Sequence, residues 1–247
     1  MSEPKKISIL FVDDEMDFRN ALASSFSRKG YNVLTAPNGK KAFEIIRSQH
    51  IDVVVSDIRM PQGDGIELLD RTKEEHHETP IILLVTGFAD ISTEDAHHKG
   101  AEALFSKPFD INTLLDAVER LLTPPEQRWA SSSYVQLGKE IQVELQYNNF
   151  STAIESHAVS IGRGGMFINI ESHFPNINDQ VNFKLTFKDN GVPLNGVGIV
   201  RWIRTQNNRK YSSGFGLEFI FLNESERKMI IEYINSRKKL KPFIPNN

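Results

Sequence analysis

Five polar side chains stand in widely separated stretches of the chain, each at or directly after the end of a short apolar run. A carboxylate in such a group can act as a nucleophile toward phosphorus and form an aspartyl phosphate. Several carboxylates in one place repel one another unless a cation is near, and the hard ion Mg²⁺ prefers their oxygen atoms as ligands. A lysine ammonium beside the metal neutralises charge on the transferring phosphoryl oxygens. The side chains that predict this chemistry are Asp13, Asp14, Asp57, Thr86 and Lys107.

The elements between these side chains alternate in type over the first half of the chain. Phe18, Leu22 and Phe26 recur at helical spacing, and similar apolar stripes follow three of the other predicted strands. Strands that alternate with helices favour a parallel sheet covered on both faces, whose ligands bind at the carboxyl ends of the strands. We therefore expect the five polar side chains to meet at one edge of a sheet. The predicted strands are residues 7–12, 32–36, 53–56, 81–85 and 103–106.

Composition limits the classes of protein to which the chain can belong. The 247 residues include no cysteine, which excludes disulfides and thiolate metal sites. No apolar run is long enough for a membrane span, so we expect a cytoplasmic protein without a transmembrane segment. Residues 1–122 carry 14 Lys and Arg against 21 Asp and Glu, whereas residues 123–247 carry 15 against 11. This asymmetry predicts two domains with different partners, and the second is too weakly basic to indicate DNA binding.

The period of the hydrophobic pattern changes after the prolines at 124 and 125. Residues 123–132 are predicted to be a linker or a short ordered arm, because neither proline can continue a helix. Apolar and polar residues then alternate along 141–146 and 181–187, and further short runs follow at 197–203 and 216–221, which predicts a small β-barrel. A terminal helix is predicted to begin at Asn223, which has the spacing of a capping box with Glu226.

Residues 5–122 resemble the receiver domains of two-component systems. The motifs are Asp13-Asp14, Asp57 with Met60-Pro61 and Gly65 behind it, Thr86-Gly87 and Lys107-Pro108. The resemblance implies a flavodoxin-like fold with five parallel strands, a cis peptide before Pro108, and a histidine kinase that phosphorylates Asp57. It also implies phosphate contacts from Thr86 and Lys107. The Mg²⁺ ligands implied by the family are Asp13, Asp14, Asp57 and the backbone carbonyl of Arg59.

The chain departs from the receiver pattern three residues before the lysine. Family members usually carry an aromatic residue there, which moves inward with the threonine on activation, whereas this chain has Leu104. The neighbouring Phe105 is expected to point to the other face of its strand. The resemblance thus implies a switch pair of Thr86 and Leu104 with an altered second member.

Residues 133–240 resemble a PilZ domain. The motifs are Gly164-Gly165-Met166-Phe167-Ile168, then Val200-Arg201-Trp202-Ile203, then Gly214 to Phe219, followed by the terminal helix. The resemblance implies a six-stranded β-barrel, and many members of the family bind cyclic di-GMP.

The two family motifs that grip cyclic di-GMP are degenerate in this chain. Aligned on the glycines, Ser160 and Gly162 replace the acidic and serine positions, and only Gly165 fits. The segment before residue 141 that should hold two arginines contains none, and Arg128 lies just upstream. Each lost charged hydrogen bond weakens binding by roughly 1.5–3 kcal/mol. The candidate nucleotide-binding residues are Arg128, Ser160, Gly162, Arg163 and Gly165.

Three hypotheses follow from these patterns. The first is a response regulator that is phosphorylated by a histidine kinase and signals through a PilZ-like domain to an unknown protein partner. The second is a dual sensor whose barrel also binds cyclic di-GMP. The third, a transcription factor, ranks last because the second half contains one predicted helix at its end and no recognition helix. The second half shows no set of acid, base and nucleophile, so no enzymatic output is predicted.

Overall fold

The computed structural model of the chain describes residues 6–76, 79–87, 91–92, 95–96, 99–130, 139–156, 158–189, 193–206 and 212–236. The chain divides into two compact units, Met1–Leu122 and Thr123–Asn247. We describe each unit by itself. Within the described residues, no helix combines the length and the apolar character needed to cross a bilayer.

The first unit contains a five-stranded sheet with strand order β2-β1-β3-β4-β5, and every neighbouring pair is parallel. This confirms the predicted flavodoxin-like fold. Strands β1 and β3 are buried along their whole length, as expected of a sheet with helices on both faces. The strands are β1 (Ser8–Val12), β2 (Asn32–Ala36), β3 (Val53–Asp57), β4 (Ile81–Thr86) and β5 (Ala103–Ser106).

Four described helices accompany this sheet, and their apolar stripes form its covering. Leu22 and Phe26 are the buried residues of the first helix, and Phe26 meets Phe11 of β1 with ring centroids 5.0 Å apart. Residues from the second and third helices pack on the opposite face, in a cluster with Leu10 and Val54. The helices are α1 (Met16–Arg28), α2 (Gly39–Ser48), α3 (Gly65–Glu75) and α4 (Ile111–Leu122).

The second unit contains a six-stranded sheet with strand order β6-β9-β10-β11-β8-β7, which curls into a half-barrel. Strands β6 and β9 are parallel, and the other neighbouring pairs are antiparallel. The six predicted strands are therefore confirmed. They are β6 (Glu140–Tyr147), β7 (Val159–Ile161), β8 (Gly165–Asn169), β9 (Gln180–Phe187), β10 (Leu194–Arg204) and β11 (Gly214–Phe221), with helices α5 (Pro125–Arg128), α6 (Phe150–Glu155) and α7 (Glu224–Asn235).

Residues 123–130 belong to the second unit as an ordered arm. Trp129 is completely buried in the core of that unit, where its ring meets Phe219 edge to face at a centroid distance of 5.3 Å. The Leu222 N–H donates to the Trp129 carbonyl at 3.1 Å. A side chain of this size removes a large apolar area from water, which explains why the segment packs on the sheet and does not form a free linker.

The capping box predicted for the terminal helix is wrong. Asn223 is the N-cap of α7, but its side chain makes no capping hydrogen bond to the backbone. The buried Glu226 carboxylate accepts hydrogen bonds from the Ser225 hydroxyl at 2.6 Å and from the Asn195 amide at 3.3 Å. The Glu226 carboxylate is therefore bonded to neighbouring side chains. Its partner Asn195 on β10 is 31 positions away in the sequence, so a local motif does not predict this contact.

Candidate functional site

The carboxyl edge of the parallel sheet gathers the side chains that the sequence singled out. Asp57 is the last residue of β3 and Thr86 the last of β4, while Asp13 directly follows β1 and Lys107 directly follows β5. In register, Val12 lies beside Ser56, so Asp13 and Asp57 are level with each other on neighbouring strands. The topology thus brings together residues that are far apart along the chain.

The Lys107 ammonium joins the two buried carboxylates of this edge. Its Nζ atom donates to Asp13 Oδ2 at 2.9 Å and lies 2.8 Å from Asp57 Oδ1. The side chains of Asp13 and Asp57 are only 4% and 8% exposed. The exposed Glu15 carboxylate is a more distant neighbour, with Oε1 3.8 Å from Nζ. A half-buried cation shared by two buried anions is the central electrostatic feature of the site.

The surroundings shift the pKa values of both charged partners. Burial is the largest influence on the pKa of Asp57 and raises it. The hydrogen bond and the charge of Lys107 lower this pKa, whereas the charge of Asp13 raises it. The net pKa of Asp57 lies above its usual value. Burial lowers the pKa of Lys107, but its hydrogen bonds to Asp57 and Asp13 more than offset this and leave it raised. The ammonium is therefore held in its charged form next to a carboxylate whose ionisation is disfavoured.

Residues outside the predicted phosphorylation site constrain Asp13 and Asp57. The Glu15 backbone N–H donates to Asp13 Oδ1 at 2.8 Å, and the Arg19 guanidinium donates to the Asp13 carbonyl. A Cβ atom on Gly65 would lie 2.2 Å from the Asp57 carbonyl oxygen, so this position requires glycine. The Gly63-Asp64-Gly65 stretch behind Asp57 was the one signal for these roles in the sequence, whereas nothing in the pattern marked Arg19.

The other predicted site residues differ in their exposure to solvent. Asp14 is exposed, and so is the Arg59 side chain, whose backbone N–H donates to the Asp57 carboxylate. Thr86 is buried, and its carbonyl accepts from the Lys107 N–H at 2.7 Å. Leu104 packs in the cluster on the α2 and α3 face of the sheet.

Two conformational expectations at the end of β5 are confirmed. Phe105 lies against Phe109, with centroids 5.5 Å apart, and is not part of the cluster that contains Leu104. The Lys107–Pro108 peptide is cis.

A divalent cation fits the donor chemistry of this edge. The structure brings Asp13 and Asp57 together, and their oxygen atoms are the donor type that Mg²⁺ prefers. Across the described ranges, no group of three or more His, Asp or Glu side chains is arranged as a ready metal cluster. In the arrangement observed, Lys107 supplies the positive charge between the two carboxylates.

The glycine-rich stretch of the second unit forms a turn. The Gly162 N–H donates to the Gly165 carbonyl at 2.9 Å and closes the connection between β7 and β8, with Arg163 half-buried inside it. A Cβ atom on Gly165 would lie 2.0 Å from the Leu217 carbonyl oxygen. Gly165 is thus explained by close backbone packing against β11. Ser160 lies on β7 opposite Phe167.

The candidate Arg128 and the motif residue Arg201 are engaged within the second unit. Arg128 donates from Nε and Nη2 to the Thr123 carbonyl at 3.1 and 2.8 Å. The buried Arg201 donates from Nε to Glu218 at 2.9 Å, a pair that the sequence did not predict. The segment 131–138, where the family's two arginines should fall, lies outside the described residues.

Comparison with known proteins assigns both units. A response regulator receiver domain model matches residues 9–119, and a PilZ domain model matches residues 131–236. Sporulation initiation phosphotransferase F of Bacillus subtilis is 35% identical over 115 residues, which are 46% of this chain and 92% of that protein. Regulatory protein AtoC of Escherichia coli is 39% identical over 115 residues, but the match spans 25% of its length.

One solved structure is similar to about half of this chain. Chemotaxis response regulator CheY4 of Vibrio cholerae is 29% identical, and the alignment covers 48% of this chain and 100% of that chain with a TM-score of 0.44. The chain belongs to the response regulators and joins a receiver domain to a PilZ domain.

The raised pKa of Asp57 makes the stability of the receiver domain depend on pH. Because the folded pKa lies above the usual 3.8, the contribution of Asp57 is fully present below that value and is lost as pH rises through the folded pKa. Asp57→Asn removes the ionisation, so its unfolding free energy should increasingly exceed that of the wild type as pH rises from 4 toward neutrality.

Urea denaturation of both proteins across this pH range measures the difference. Asp116→Asn is the matched control, because it makes the same change of side chain at an exposed position on α4. A gap between Asp57→Asn and the wild type that stays constant or shrinks with rising pH would contradict the assignment.

Proposed function

We propose that this protein is a phosphorylation-controlled response regulator in which a histidine kinase transfers a phosphoryl group to Asp57. The carrying observation is the Lys107 ammonium, which lies 2.8 Å from Asp57 and 2.9 Å from Asp13 at the carboxyl edge of the sheet. A cation in this position neutralises charge on the phosphoryl oxygens while the Asp57 oxygen attacks phosphorus. The cytoplasmic location expected from the sequence is part of this proposal.

Mg²⁺ is the cofactor of this proposal. Its ligands would be the Asp13, Asp14 and Asp57 carboxylates and the Arg59 carbonyl, all oxygen donors. When bound, Mg²⁺ supplies positive charge next to the transferred group. The Asp13 carboxylate already contacts Lys107, so metal and ammonium compete for it.

Thr86 and Leu104 are the proposed switch residues. Thr86 is buried at the end of β4, one position beyond the partner of Asp57 in the sheet. In this proposal its hydroxyl would donate to a phosphoryl oxygen. Leu104 belongs to the packed cluster on the α2 and α3 face, so a movement of Thr86 would be transmitted by aliphatic packing and not by an aromatic ring.

The PilZ domain is the proposed output, and we propose that it binds a protein partner. Its interior is filled by apolar side chains such as Phe215 and Phe219. Arg201 is paired with Glu218, and Arg128 donates to a backbone carbonyl of its own arm. Of the residues predicted for nucleotide binding, Arg128 thus has a structural role and Gly165 is required by backbone packing, which favours a surface contact with another protein.

The phosphorylation site is tested by labelling with acetyl phosphate and Mg²⁺. The wild type should acquire one phosphoryl group, detected by intact mass, and hydroxylamine should remove it because an acyl phosphate is cleaved by this nucleophile. Asp57→Asn should lose the label because the amide is not a nucleophile of this kind. Asp116→Asn should be labelled like the wild type. Undiminished labelling of Asp57→Asn would refute the assignment.

Cyclic di-GMP sensing is the second candidate, favoured by the match of the PilZ family to residues 131–236. Calorimetric titration of the full chain with cyclic di-GMP separates the two outputs. We expect a dissociation constant weaker than about 100 μM, because the binding motifs are degenerate. A value of about 10 μM or tighter that Arg128→Ala weakens would establish the sensor and overturn the protein-partner output.

A further inference from the structure

The Lys107 ammonium has a neighbour that belongs to none of the receiver motifs. The Phe18 ring on α1 lies beneath it, with the ring centroid 4.6 Å from Nζ. Two of the ammonium's contacts are the Asp13 and Asp57 carboxylates. A phenyl ring presents the negative part of its quadrupole to a cation that approaches its face. Phe18 thus attracts the ammonium from a side that the carboxylates do not occupy.

The position of the Phe18 ring is fixed by other aromatic rings. Phe18 meets Phe109 edge to face, with centroids 5.9 Å apart and an interplanar angle of 81°. Phe109 also contacts Phe105 of β5, with centroids 5.5 Å apart. Since Phe109 stands two positions after Lys107, these contacts tie α1 to the segment that carries the lysine. The Phe18 ring is therefore packed against the segment that carries Lys107.

Without the Phe18 ring, solvent and the Glu15 carboxylate compete with the buried carboxylates for the Lys107 ammonium. Its side chain is 22% exposed, and the Glu15 carboxylate, 72% exposed, lies 3.8 Å away. A lysine has a flexible four-carbon stem and a strongly hydrated ammonium, so solvent competes with a buried position. The ring face favours the position between the two buried carboxylates over these alternatives.

We propose that Phe18 is a positioning residue of the phosphorylation site, whose ring face holds the Lys107 ammonium between Asp13 and Asp57 before the phosphoryl donor arrives. The inference rests on the proposed phosphorylation of Asp57. In that reaction with acetyl phosphate, an Asp57 oxygen forms a bond to phosphorus while the bond from phosphorus to the acetate oxygen breaks, and acetate leaves with the electron pair. A cation already in place need not reorganise as charge develops on the phosphoryl oxygens.

The test replaces Phe18 in the full chain by phenylalanines with one, two and three ring fluorines. Fluorine withdraws density from the ring face and leaves the size of the ring nearly unchanged, so a purely structural role would not respond. The initial rate of labelling by acetyl phosphate with Mg²⁺ should fall stepwise, by about two- to fivefold in the trifluoro protein. Phe18→Tyr should retain the wild-type rate, and Phe18→Leu should lose a similar factor.

Phe43 provides the matched control series. The Arg71 guanidinium lies 4.1 Å from the centroid of its ring, so it forms another cation–π pair in the same domain. Fluorination of Phe43 should leave the labelling rate unchanged. A flat Phe18 series with normal labelling of the wild type would overturn the inference and leave the proposed function standing. Absence of any label on wild-type Asp57 would refute the proposed function, and this inference with it.

Discussion

The receiver domain depends on one ammonium group that lies between two buried carboxylates. Burial alone disfavours ionisation of Asp57, and the charge of Asp13 disfavours it further. Lys107 opposes both effects because its Nζ is within 3 Å of each carboxylate, and the net pKa of Asp57 still lies above its usual value. A parallel sheet can deliver three such groups to one edge because its strand ends lie side by side, even when they are 94 positions apart along the chain. The architecture of the domain therefore serves to hold this arrangement.

The PilZ domain uses its polar residues differently. The buried Arg201 is matched by Glu218, since an unpaired buried charge would be strongly destabilising. The glycine-rich turn is required by backbone packing at Gly165. Trp129 connects the arm before the sheet to the core, so the family-like motifs and the arm form one packed body. Among the described residues of the second domain, Arg201, Glu218 and Gly165 therefore stabilise the fold.

The sequence predicted the features that depend on local pattern. Strand positions followed from apolar runs, and the parallel order followed from the alternation with helices, so the meeting of Asp13, Asp57 and Lys107 could be foreseen. It did not predict contacts that arise only when distant elements pack. The ring of Phe18 under Lys107 and the amide of Asn195 near Glu226 are of this kind.

The same limit applies to two local patterns. The sequence left open whether the segment after residue 122 is a linker or a short ordered arm, and the burial of Trp129 in the core of the second unit favours the arm. The capping box at Asn223 was predicted wrongly, because the Asn223 side chain makes no capping bond to the backbone.

In this structure Lys107 stabilises the ionised form of Asp57. Carboxyl carbon NMR of the Asp57 side chain, followed through a pH titration without metal in the wild type and in Lys107→Met, measures this effect. The titration midpoint of Asp57 should move to higher pH in Lys107→Met, because the cation that lowers its pKa is gone. Lys99→Met, which removes an exposed ion pair with Asp70, should leave the midpoint in place. An Asp57 midpoint that is unchanged or moves to lower pH in Lys107→Met would show that Lys107 does not stabilise the ionised carboxylate.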